Sequence, residues 1–337
     1  MQRKWRALAS TILVMAMILA GLSLPKSVAA QQSTGITIGI IGKTSTAWPW
    51  FVAQKTGYFE KYGLRPQIIS IDSSAACTQQ LAAGSLDVGA VSPTNIIEAI
   101  RGGANVQYVL SVLIVPPFSL YVKNNIRSLG DLRDKTIIVG GSGDVTHMFL
   151  DAMLKAGGLK PGDYTLTYAG ATNARFAALK SGSVDAALLL PPFSFLAEAD
   201  GYRNLGTVKK YVGSFPLSGI AANGKWLDGH AASMVALGKV YVESMRWLEN
   251  PANKSAAVQI LVDATNANNA EAVKTYDELV SGLHAFSQTG LTANADMAKV
   301  VSALVDLHQL DAPAPPAGQF YNNKFVQQAN NEFGSKR

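Results

Sequence analysis

Short apolar runs closed off by glycine, serine and proline recur along the chain, and one such unit occurs twice. Ala82-Ala83-Gly84-Ser85-Leu86-Asp87-Val88-Gly89-Ala90-Val91-Ser92-Pro93 has a counterpart in Leu179-Lys180-Ser181-Gly182-Ser183-Val184-Asp185-Ala186-Ala187-Leu188-Leu189-Leu190-Pro191, with the two aspartates 98 positions apart. Each copy reads as a helix end, a glycine stop, a buried strand and a proline where the strand runs out. A run too short for a helix and flanked by turn residues fits a parallel strand covered on both faces. At the same offset Ile38-Gly39-Ile40-Ile41-Gly42-Lys43-Thr44-Ser45 aligns with Thr136-Ile137-Ile138-Val139-Gly140-Gly141-Ser142-Gly143. Each half also carries a Gly-Leu-basic-Pro turn, at Gly63-Leu64-Arg65-Pro66 and at Gly158-Leu159-Lys160-Pro161. The pattern predicts two related α/β units that fold separately, each running strand, polar loop, helix, turn, strand, helix, strand, with a cleft between them. The spacing is far longer than that of a solenoid repeat.

In the first unit, strands are expected over 36–41, 67–71 and 88–91. A helix opens at Trp48-Pro49, where proline suits the first turn, and Asp72-Ser73-Ser74 caps the next. Residues 107–122 are β-rich and broken by Pro116-Pro117, as a strand leaving one lobe for the other would be. The second unit has a short helix over 128–132 and strands over 136–139 and 186–190, and 215–220 reads as the return crossing. The rest is helical: 231–248, 252–264, 270–283, then a helix with Met297, Val300, Val301, Leu304 and Leu307 on one face. A stiff proline-rich linker over 311–316 precedes a last helix over 321–331. The expected fold class is α/β with two lobes, each a parallel-rich sheet flanked by helices. Residues 35–117 begin lobe 1, 118–216 form lobe 2, and 217–337 return to lobe 1.

Residues 1–30 read as an export signal, with Arg3, Lys4 and Arg6 as the basic start, 8–24 as the apolar core and Val28-Ala29-Ala30 as the cleavage box, the cut falling after Ala30. An uncleaved membrane anchor is the alternative, and Gly21, Pro25 and the cleavage box speak against it. No cysteine lies near the cut to carry a lipid. The expected location is the periplasm. Removing the segment's four basic residues, Arg3, Lys4, Arg6 and Lys26, takes the net charge from +6 to +2. No basic run or aromatic-basic interleaving remains to suggest a nucleic acid. Cys77 is the only cysteine, so no intramolecular disulfide forms, and it reads as a small buried hydrophobe.

Each strand end leads into a loop of hydroxyl residues that begins a helix. The first unit offers Thr44, Ser45 and Thr46, then Ser73 and Ser74, then Ser92 and Thr94; the second offers Ser142, Gly143, Asp144 and Thr146. Open parallel sheets bind ligands at the carboxyl ends of their strands, where helix N-termini present free N–H groups and partial positive charge. Taken singly, each residue also reads as a helix cap; the functional reading rests on their convergence. Asp144 is either an N-cap or an acceptor for an amine or ring N–H. The Gly140-Gly141-Ser142-Gly143 loop lacks the P-loop lysine and the GxGxxG spacing of nucleotide folds. His147, His230, His284 and His308 are scattered without an HExxH pair, and no GxSxG elbow is present. No catalytic residue, metal ligand or cofactor is assigned.

Trp50-Phe51-Val52-Ala53-Gln54-Lys55-Thr56-Gly57-Tyr58-Phe59-Glu60-Lys61-Tyr62-Gly63-Leu64 resembles the signature of the substrate-binding proteins of ABC transporters in the nitrate/sulfonate/taurine, NMT1-like family. The stretch 81–92, Leu129-Gly130-Asp131-Leu132-Arg133-Asp134-Lys135 and Gly182-Ser183-Val184-Asp185 match its later boxes in order. The resemblance implies a two-lobed periplasmic binding protein fold of type II with a two-crossing hinge. It also implies a monomer without enzymatic activity that closes on a small solute and delivers it to a membrane permease driven by a cytoplasmic ATPase. By position, the family's pocket falls on Thr44 to Trp48, Ser73-Ser74, Ser92 to Thr94, Ser142 to Thr146, Ala171-Thr172 and the strand end near Pro191 to Phe193. Trp48 either stacks on a flat ligand or belongs to the core. The solute implied is small, organic and anionic, sulfonate- or carboxylate-like, or aromatic. The alternatives are a thiamine-precursor (pyrimidine) binding protein or synthase of the same fold, or a ligand-sensing subunit of a membrane receptor. The synthases' Cys-rich iron motif has no counterpart in this chain.

Overall fold

The computed structural model describes residues 33–213, 215–306 and 309–334. The export segment over 1–30, Leu307 and His308 lie outside the described residues.

The first sheet is built from β1 (Thr34–Ile41), β2 (Leu64–Ile71), β3 (Val88–Val91) and β4 (Val106–Leu113). Between these strands run helices α1 (Trp48–Thr56), α2 (Ser74–Ala83) and α3 (Pro93–Arg101). The second sheet holds β5 (Ser119–Val122), β6 (Thr136–Val139), β7 (Thr165–Tyr168), β8 (Ala186–Leu189) and β9 (Arg203–Thr207), with helices α4 (Val145–Ala156), α5 (Thr172–Lys180) and α6 (Phe193–Ala199). Strand β10 (Ser218–Asn223) returns to the first sheet. The C-terminal part is helical: α7 (Ala231–Glu249), α8 (Lys254–Thr265), α9 (Asn269–Tyr276), which runs on into a π-helical turn over Asp277–Gly282, α10 (Asn294–Asp306) and α11 (Lys324–Gly334).

The strand orders are β2-β1-β3-β10-β4 and β7-β6-β8-β5-β9. In each, the first strand of the unit lies between two parallel neighbours, and an antiparallel crossing strand joins beyond the third. The two halves thus share one topology. The chain passes between sheets twice, and the crossings are tied together where the Leu217 N–H donates to Leu113 O at 2.8 Å.

The repeated Gly-Ser-apolar-Asp box has the same structural task in both halves. The Asp87 carboxylate accepts from the Thr37 N–H at 2.7 Å, and that of Asp185 from the Thr136 N–H at 3.0 Å. One feature of the sequence alignment is corrected. Ile38 pairs with Val88 and Ile137 with Ala186, so the first strands correspond at an offset of 99 while the third strands keep 98. Thr37, not Ile38, is the counterpart of Thr136. A largely apolar strand between two neighbours has no clear in/out alternation to fix its register; the strand pairing and the aspartate bonds together reveal the slip.

The parallel-strand expectation matches the burial: β8 is buried at every position, Ala186 and Leu188 facing one apolar cluster and Ala187 and Leu189 another. The core differs from two separate ones. One network of buried apolar side chains runs from the first sheet through Val112, Val115 and Phe118 into a face of the second. A small separate cluster, including Tyr121, Ile138 and Leu179, covers the other face. The C-terminal helices close over the first sheet. Trp48 Nε1 donates to Ala257 O at 3.1 Å, and the Tyr241 hydroxyl donates to Ser287 O at 2.6 Å. Met297, Val300, Val301 and Leu304 make the buried face of α10.

Candidate functional site

The carboxyl ends of β1, β3, β6 and β8 point at one another, and a cavity opens where they meet. It holds some 700 Å³ of space free of protein atoms, part of it open to solvent. Seven of the sequence-predicted residues line it: Thr44, Thr46, Ser74 and Ser92 from the first half, and Asp144, Thr146 and Thr172 from the second. Their hydroxyls are linked by local bonds. Thr44 and Thr46 Oγ1 are 2.8 Å apart, and Ser92 Oγ is 3.2 Å from Ser74 Oγ and 2.9 Å from Thr94 Oγ1. The repeat extends to these contacts: the Ser92 N–H donates to Ser74 Oγ at 2.7 Å, and the Leu190 N–H to Thr172 Oγ1 at 3.3 Å.

Capping and lining turn out to be compatible roles. Ser92 caps α3, accepting from the Asn95 N–H, and Asp144 caps α4, its Oδ1 accepting from the Thr146 N–H at 2.8 Å and Oγ1 at 2.6 Å. Both also face the cavity. Thr146 Oγ1 in turn accepts from the Gly140 N–H at 2.8 Å.

The remaining predicted residues sit around this chamber. Ser73 caps α2 at the rim, and Ser73, Gly143 and Ser142 border an outer recess with Glu98 and Tyr168. Thr94 borders a neighbouring recess with His147 and Asp151. The Ser45 hydroxyl bonds Pro191 O across the two halves. Phe193 is half-buried and packs against Phe176, the ring centroids 6.0 Å apart. Trp48 is fully buried, edge-on to Tyr276, and does not border the cavity; Trp50, two residues on, does. Among the described residues, no three His, Cys, Asp or Glu side chains cluster in a way that would hold a metal ion.

Sequence reasoning missed Arg175, which lines the cavity although only 2% of it is exposed. Its Nε donates to Leu188 O at 2.8 Å and its Nη1 to Ala169 O and Gly170 O at 2.9 and 2.7 Å, with Phe118 beneath the guanidinium at 5.6 Å. None of these bonds uses Nη2. Burial pulls its pKa down to about 10, opposed by the charge of Asp144, and the group stays cationic at neutral pH. The signal was present: Thr172, Arg175 and Leu179 form the buried stripe of α5, and an arginine on such a stripe is out of place unless it is bonded. At the repeat offset of 98, lobe 1 carries Cys77.

The halves touch at several points around the cavity. Asn95 Nδ2 reaches Gly143 O at 3.5 Å, and a side chain on Gly170 would place its Cβ 2.2 Å from Asp72 O and 2.3 Å from Ser73 Cβ. The cleft is therefore closed in this structure.

A fold of paired sheets with loops converging on a shared cavity defines a class, and comparison with known proteins names it. The chain belongs to the NMT1/THI5-like family, whose profile, described as "NMT1/THI5 like", matches residues 45–252. Its fold is that of the periplasmic binding proteins of ABC import systems. It is similar to the periplasmic nitrate-binding protein NrtA from Synechocystis PCC 6803, with a TM-score of 0.73 and 15% identity, covering 89% of this chain and 89% of that one. It is also similar to the alkanesulfonate-binding protein SsuA from Xanthomonas axonopodis pv. citri bound to MOPS, with a TM-score of 0.68 and 20% identity over 84% of this chain and 95% of that one. Among curated proteins it is 30% identical over 144 residues to the 4-amino-5-hydroxymethyl-2-methylpyrimidine phosphate synthase THI12 of Saccharomyces cerevisiae. That match covers 42% of this chain and 41% of the yeast protein, so the chain spans about two fifths of the length of the curated relatives it matches.

Proposed function

We propose that the protein is the solute-capturing component of an ABC import system. It takes up a small organic solute between a lobe of residues 35–117 and 217–337 and a lobe of residues 118–216, acting as a monomer in the periplasm after loss of residues 1–30. It then presents the solute to a membrane permease driven by a cytoplasmic ATPase. The observation that carries this reading is the convergence of hydroxyls and helix N-termini from both sheets, with Arg175, on one cavity. Contacts made to both halves at once favour the closed arrangement over the open one, and that difference in population is the signal a permease reads.

The test uses Gly170. An alanine there cannot approach Asp72 and Ser73 as the glycine does, so Gly170→Ala holds the halves apart. Expected are solute binding weakened at least tenfold, a larger radius of gyration by solution scattering in the presence of solute, and a melting temperature near that of the unmodified protein. Unchanged binding in Gly170→Ala would show that closure is not part of capture. A second reading, a synthase of a pyrimidine thiamine precursor, is favoured by the similarity to the yeast enzymes. It requires turnover, and the single cysteine, buried with its thiol pushed up to about 12 by desolvation, offers no reactive sulfur for it.

A further inference from the structure

The cavity carries two opposite charges that do not meet. Arg175 and Asp144 both line it, yet no oxygen of Asp144, nor of any other carboxylate among the described residues, lies within ion-pair distance of the guanidinium. The guanidinium is held by three backbone carbonyls, which orient it without neutralising it, and Nη2 is left over. On Asp144 the capping bonds are all made through Oδ1, leaving Oδ2 over. Apolar walls that include Trp50, Phe118, Leu190 and Leu217 complete the lining.

A plain anion would satisfy Arg175 and be repelled by Asp144; a plain cation would meet the reverse. Removing either ion from water without a partner is costly, and more so inside a closed cleft. A solute carrying both an acidic group and an N–H donor on a carbon body satisfies the two ends together. Resting on the solute-capture reading, we propose that the cavity selects dipolar organic solutes, the acidic end on Arg175 and a protonated amine or amino N–H on Asp144. The carbon body between them lies along the apolar walls. The burial that lowers the Arg175 pKa reports how little solvent screens that end.

The experiment is titration calorimetry on two matched sets of probes, 3-aminobenzoate, benzoate and aniline, and 4-aminobutanoate, butanoate and butylamine, with the unmodified protein and with Asp144→Asn. Asparagine caps a helix as well as aspartate does, so this variant removes the charge and keeps the turn, which a melting curve verifies. In at least one set the dipolar member is expected to bind tenfold or more tighter than either partner. Asp144→Asn should erase its advantage over the acid while leaving the acid's own affinity intact or improved. Acids binding as tightly as the dipolar members, a preference that survives in Asp144→Asn, or no binding by either dipolar member at millimolar concentration would each overturn the inference. The underlying reading fails separately: it falls if no small molecule from a periplasmic extract changes the tryptophan fluorescence of the unmodified protein.

Discussion

At Gly89 the first sheet has no room for a side chain: a Cβ there would lie 2.4 Å from Cys77 Sγ, and one at Gly39 would lie 3.1 Å from it. The lone thiol therefore fills the space two strands leave for it, and its raised pKa marks it as packing, not chemistry. Gly89→Ala should destabilise by about 1–3 kcal/mol through overpacking. Adding Cys77→Ala should return most of the loss, an interaction readable by chemical denaturation of the four members of the cycle. Cys77 was legible as a small buried hydrophobe because it lacked any activating partner in sequence. The tryptophans were not. Two positions apart on a helix, Trp48 and Trp50 point to nearly opposite faces, and which one meets the cleft is decided by Ala257 and Tyr276, some two hundred residues later. Arg175 was harder to read: its carbonyl partners belong to backbone, so its place on the buried stripe of α5 is the one mark it leaves in the sequence.

At the scale of elements, two aspartates pin the two sheets. Asp87 and Asp185 each precede a third strand and reach the N–H of a threonine in the first, so the box that repeats in sequence is a strand-to-strand fastener. Asp87→Ala and Asp185→Ala each leave a strand N–H without its acceptor and should cost about 1–3 kcal/mol apiece. Asp87→Asn, whose side-chain oxygen can still accept, should cost less, and thermal melts compare the three. This fastener explains why the order of elements was readable while the register was not. The spacing of turn words set which strands exist, but Ile38-Gly39-Ile40-Ile41 and Thr136-Ile137-Ile138-Val139 are apolar on both faces, and pattern alone leaves a one-residue slip open.

Over the whole molecule, carboxylates from the two halves face each other where the cleft shuts. Glu98, on α3, lies by Gly143, and burial, then the charge of Asp144, raise its pKa while the Asn95 side chain lowers it. Glu278, in the π-helical turn, is likewise raised, by burial and then by Glu198 on α6. A carboxyl whose pKa is raised in the closed form costs nothing while protonated in both forms. Its penalty grows as pH climbs from the ordinary carboxylate value through the raised one. Solute affinity should therefore be a few-fold higher at pH 5 than at pH 8, and Glu98→Gln should flatten that dependence, both read from dissociation constants across the range. The one apolar network shared through the crossing segments has a parallel effect on stability: heat should melt both halves in a single transition. The two halves are alike in topology and in their fasteners, but at one matching position the second carries a buried cation, Arg175, where the first has Cys77. A pair of matching walls would accept a solute either way round; with Arg175 on one side and Cys77 at the matching place on the other, the proposed cavity gives whatever it holds a front and a back.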